Sequence, residues 1–148
     1  MRSGAGSLVP DPWRVLAGMH DVVLLREAIP EPGRYYDAER AIVLRKGLSI
    51  EAERRYLWHE LVHADRRDEA CSGWVRGRME QSVEREAARR AMPVESLEAA
   101  AHRADGWHDF CWHMKVPEPW VRFRLSVLHP AERALVERAC RWAREETA

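Results

Sequence analysis

The stretch "YLWHELVHAD", residues 56–65, sets His59 and His63 four residues apart and puts Glu60 directly after the first of them. On a helix that spacing stacks the two imidazoles on one stripe, one turn apart, where two ring nitrogens can meet a single ion. The neighbours supply an independent helix signal. Leu57, Leu61 and Ala64 recur at i, i+4 and i+7, and Trp58 with Val62 widens the apolar face, leaving the histidines on a different stripe. Ser49 is placed to cap the helix, and Glu51 with Glu53 complements the positive end of its dipole.

Zinc binds imidazole nitrogen and carboxylate oxygen at about 2.0–2.2 Å, and a catalytic site offers three protein ligands with one position left for water. Glu60 is then read as a base beside that position and not as a ligand. The bland alternative is a packed or solvated histidine pair, since a pattern with three fixed positions arises by chance now and then. The helix signals around it favour the metal. A third ligand has to come from another element, and "VRGRMEQSVEREAARRAMP", residues 75–93, offers Glu80, Glu84 and Glu86. Glu80 and Glu84 share a helical face and Glu86 points elsewhere, so spacing leaves the first two open. All three could instead be surface charges pairing with Arg85, Arg89 and Arg90.

Length and composition bound the rest. A chain of 148 residues suits one domain, and 46% hydrophobic with 32% charged residues is the make-up of a folded globular protein. Basic and acidic residues number 24 each, giving no bulk attraction to nucleic acid or an anionic membrane. No signal-peptide or membrane-spanning run is evident, so the expected location is cytoplasmic. Cys71, Cys111 and Cys140 are an odd, scattered set, which reads as reduced thiols.

Residues 1–12 are expected to be a flexible N-terminus, followed by one domain over 13–148 with a zinc core at about 20–93 and a helical part at about 94–148. "DVVLLREAI" (21–29) and "RAIVLRK" (40–46) read as two strands of a small antiparallel sheet, with "PEPGRYYDAE" (30–39) as the connection. Further helices are expected near 74–91, 94–104, 107–114, 118–128 and 131–146, with Pro119 and Pro130 in first turns. The fold class is thus α+β, with the small sheet beside the HExxH helix.

In combination these features resemble the ImmA/IrrE family of zinc metallopeptidases, over roughly residues 20–138, in the form of its short actinobacterial or phage and prophage members. That family runs from a small sheet into HExxH, then into a helix patterned E-x-E-A-N-x-F-A-A-x-L-L-M-P, then into a segment resembling a helix-turn-helix. Setting "EAARRAMP" on the end of that pattern puts Glu80 on its first glutamate, which the family uses as third zinc ligand, with Glu84 in reserve. Val83, Glu84 and Glu86 depart from it. "KVPEPWVRFRLSVLHPAERA" (115–134) is similar to the family's C-terminal segment. The resemblance implies a zincin-like fold, one Zn2+ held by His59, His63 and Glu80, and a cytoplasmic endopeptidase. Its substrate would be a helix-turn-helix repressor, whose loss frees stress or mobile-element genes.

Three rival readings stand beside this one. His102, His108, Cys111 and His113 suggest a second metal site, yet Trp107, Phe110, Cys111 and Met114 fall at i, i+3, i+4 and i+7 as an apolar helix face. Arg122 and Arg124 on a helix-turn-helix-like segment at 107–128 could touch phosphates, but without a dense basic patch direct nucleic-acid binding is not expected. A non-proteolytic antirepressor or toxin-like binding module retaining the zinc site is the alternative function. Glu60 argues against it, because a closed structural site has no use for a base. No oxyanion donor is assigned among Tyr35, Tyr36 and His113. The edge of "RAIVLRK" is the expected seat for an extended substrate.

Overall fold

The computed structural model describes residues 6–69 and 73–142, with the side chains of Gly73 and Trp74 left aside. Residues 1–5 of the expected flexible terminus, Cys71 and the end of the last expected helix fall outside that range. The chain is α+β and divides into two compact units, one of residues 11–91 and one of residues 6–10 with 92–142.

In the first unit, α1 (Pro12–Gly18) starts on an Asp11 cap whose Oδ1 accepts the Trp13 amide at 2.9 Å. Three strands follow, β1 (Val23–Glu27), β2 (Gly33–Tyr36) and β3 (Ala41–Arg45), in the order β1-β3-β2. The sheet is mixed and not antiparallel as expected. β1 pairs parallel with β3, and β2, within the segment read as a connection, pairs antiparallel with it. Burial explains the arrangement. Ala41, Ile42, Val43 and Leu44 are an uninterrupted apolar run, 6% exposed or less, which suits a strand flanked on both sides. β2 carries the chain back so that β3 can run parallel to β1, a pairing no tight hairpin permits. The expected substrate seat on "RAIVLRK" is therefore lost, because β3 is paired along both edges and the sheet's edges are β1 and β2.

α2 (Ile50–Arg66) packs on β2 and β3 and against α3 (Gly73–Ala91). Ser49 caps it, Oγ accepting the Ala52 amide at 3.1 Å, and Leu57, Trp58, Leu61, Val62 and Ala64 are buried. Since that cap satisfies one of the amides orphaned at the helix start, Ser49→Ala is expected to cost about 1 kcal/mol, read as a lower urea midpoint. From α3, Val83, Ala87, Ala88 and Ala91 are buried as their spacing predicts.

The second unit holds α4 (Val94–Arg103), α5 (Trp107–Met114), α6 (Glu118–Ser126) and α7 (Pro130–Ala139), with α4 packing on α5 and α7. Pro119 and Pro130 lie in first turns. Phe110 and Met114 are buried and Trp107 stacks on Phe110. Arg124 corrects the reading that set it against phosphates. It is 3% exposed and donates from Nε to the Met92 carbonyl at 2.8 Å. Arg122 pairs with Glu118 at 2.9 Å and lies over the Trp107 ring.

Candidate metal centre

Four-residue spacing on α2 delivers His59 and His63 side by side, ring centroids 5.0 Å apart. Because α3 packs along α2, Glu80 faces both rings: its carboxylate lies 2.8 Å from His59 Nε2 and 3.1 Å from His63 Nε2. One donor atom from each of the three falls within 4.8 Å of the others, close enough to share a metal ion. Among the described residues this is the one such His/Cys/Asp/Glu group, and it includes none of His102, His108, Cys111 and His113.

Glu84 does not converge on the same point. It meets His59 from the far side of the ring, Oε2 to Nδ1 at 2.7 Å, and is itself tied to Arg55 at 3.1 Å. Glu86 pairs with Arg89 and Arg90. Rotation about α3 thus sets the two carboxylates apart: Glu80 lies on the Nε2 atoms of both rings, and Glu84, one turn on, lies on the Nδ1 of His59. Such outward partners fix the tautomer and orientation of a ligating imidazole. His63 has its own, Asp68 Oδ2, 3.0 Å from Nδ1.

Glu60 lines a cavity of about 340 Å³ together with Gly33, Tyr35, His59, His63 and Glu80. It is 5% exposed, and burial pushes its carboxyl up to about 7. Strand β2 passes directly over it. A Cβ on Gly33 would stand 3.1 Å from both Glu60 Cγ and Oε1, so a glycine is what allows backbone and carboxylate to approach so closely. Gly33, Asp68 and Arg55 were not singled out from the sequence. Gly33 lay in a proline-rich stretch read as a loop, and Asp68 lies beyond the helix, where periodicity carries no information. Tyr35, one of the unassigned oxyanion candidates, donates its hydroxyl to Asp37 at 2.6 Å and accepts from Arg40.

The charges fit a cation. Burial opposes protonation of His59, but the hydrogen bonds to Glu80 and Glu84 outweigh it and raise the ring to about 10. His63 is also raised, its contact with Glu80 prevailing over burial, and the two rings hold Glu80 well below the usual carboxylate range. Both rings therefore favour their protonated forms beside the Glu80 carboxylate. Stability from raised His59 is complete below 6.5 and is lost as pH rises towards about 10. That from lowered Glu80 is present above 4.5 and lost below it. Metal uptake has the opposite trend, since the imidazoles must shed their protons. At about pH 7.5, zinc binding should release roughly one proton or more, and the rise in melting temperature on adding zinc should grow from mildly acidic to mildly alkaline pH. Calorimetry in buffers of different ionisation enthalpy checks the first, and paired melts check the second.

No helix among the described residues is long and apolar enough to cross a membrane. No family model, no curated protein and no solved structure matches the chain.

Proposed function

We propose that the protein is a zinc-dependent endopeptidase with a zincin-like core, of the ImmA/IrrE type that its sequence resembles. Its proposed substrate is a helix-turn-helix repressor. The observation that carries the reading is the convergence of His59, His63 and Glu80 in a cavity that Glu60 also lines. Two imidazoles and a carboxylate are a donor set suited to zinc, and outward carboxylates on both rings suit it further. His59, His63 and Glu80 would hold the zinc, which would supply Lewis-acid polarisation of a scissile carbonyl and a more acidic water.

Glu60 does the proton work. A buried carboxylate next to the two histidines is placed to accept a proton from a water at the site and return it to the leaving amine. β2 is an edge strand and lines the cavity, so an extended substrate pairing with it would be held by main-chain hydrogen bonds across Glu60. Gly33→Ala is expected to displace Glu60 and lower turnover while zinc content stays at the wild-type level, checked by rate and metal assays on one preparation. The reading itself is tested by incubating zinc-loaded protein with repressors encoded beside it and mapping products by mass spectrometry. A single new terminus that disappears on chelation supports it. Intact repressors throughout would turn the site to the binding-module role.

A further inference from the structure

Just past Arg66 the chain folds back on its own helix. Arg67 closes α2 in the left-handed conformation, φ 56°, and the next amide, that of Asp68, donates to the His63 carbonyl at 3.0 Å. This reversal brings Asp68 Oδ2 to 3.0 Å from His63 Nδ1, the nitrogen opposite the one that meets Glu80. Both side chains are withdrawn from solvent, 8% exposed for His63 and 18% for Asp68.

The turn is fastened from the sheet side as well. Asp37 Oδ1 accepts from Arg67 Nε at 3.1 Å and from the Tyr35 hydroxyl at 2.6 Å. Arg40, from the same β2–β3 turn, donates to the Ala64 carbonyl at 2.7 Å and pairs with Asp21 at 2.9 Å. The two imidazoles are therefore supported from different places. Glu84 reaches His59 from α3, the helix that also carries Glu80, whereas Asp68 reaches His63 from the turn that follows α2.

We propose that Asp68 is a positioning residue for His63. By accepting the Nδ1–H it leaves the Nε2 lone pair facing the cavity and holds the ring plane before a metal arrives. The inference rests on the metal-site reading above. A side chain that only stabilised the turn would show itself in the folding of the metal-free protein, whereas one that sets the ring shows itself in the metal's affinity and ligand field.

The test uses the full chain, stripped of metal, as wild type, Asp68→Ala and Asp68→Asn. Zinc affinity is read by competition with a chromophoric chelator, the ligand field from the visible spectrum of the cobalt(II) form, and folding from the metal-free melt. Asp68→Ala is expected to bind zinc about 10- to 100-fold more weakly, with altered cobalt bands and a melt close to wild type. Asp68→Asn keeps a carbonyl that can accept the Nδ1–H and should recover most of the affinity. An Asp68→Ala protein with wild-type affinity and spectrum overturns the inference alone, as does an Asp68→Asn protein that is no better than Asp68→Ala and melts as early. A wild type that binds neither zinc nor cobalt overturns the metal-site reading and the inference with it.

Discussion

Glu60→Gln is expected to keep zinc at the wild-type level and to lower repressor cleavage by about 10²- to 10⁴-fold, the range that a positioned base contributes. Glutamine preserves the volume beneath Gly33 but cannot accept the proton. The loss should fall on kcat with KM little changed, because the residue acts on the reacting atoms and not on the bulk of the substrate. Stability should not suffer, since the substitution removes a carboxyl whose ionised form burial already disfavours. Steady-state rates on a mapped substrate peptide, beside metal content and a melt, check all three. A variant that cleaves at the wild-type rate would remove Glu60 from the chemistry.

The second large effect separates two carboxylates one helical turn apart. Glu80→Ala is expected to abolish stoichiometric zinc binding, because it removes the group that faces His59 Nε2 and His63 Nε2 together. Glu84→Ala should retain the ion with affinity lower by about 10- to 100-fold, since it takes away only the partner behind His59. Equilibrium dialysis followed by elemental mass spectrometry distinguishes them. The reverse pattern, zinc lost with Glu84→Ala and kept with Glu80→Ala, would mean that α3 presents the other face to the ion.

The part of this site legible in the sequence is what repeats with the helical period. His59 and His63, the apolar face from Leu57 to Ala64 and the Ser49 cap all follow from spacing on one element, and α2 has each of them. Glu80 and Glu84 illustrate the limit. Their shared face was readable, but which carboxylate turns towards the imidazoles depends on how α3 is rotated against α2, a tertiary property that only the resemblance addressed. The sheet shows the same limit. The two apolar runs were recognisable as strands, yet "GRYY" lies among prolines and glycine, and its role as an edge strand depends on pairing with β3. Missing that strand turned a mixed sheet into an antiparallel one. It also hid Gly33, whose bare Cα lets the backbone lie against Glu60. Asp68 was hidden for another reason, since a left-handed residue at Arg67 with no glycine to announce it redirects the chain towards His63.

The most direct measurement is anomalous diffraction at the zinc absorption edge from crystals of the zinc-loaded protein. One peak is expected about 2.0–2.2 Å from His59 Nε2, His63 Nε2 and a Glu80 oxygen, with Glu84 and Asp68 behind the two rings. A peak coordinated by Glu84 in place of Glu80, or located away from both histidines, would contradict the proposed site.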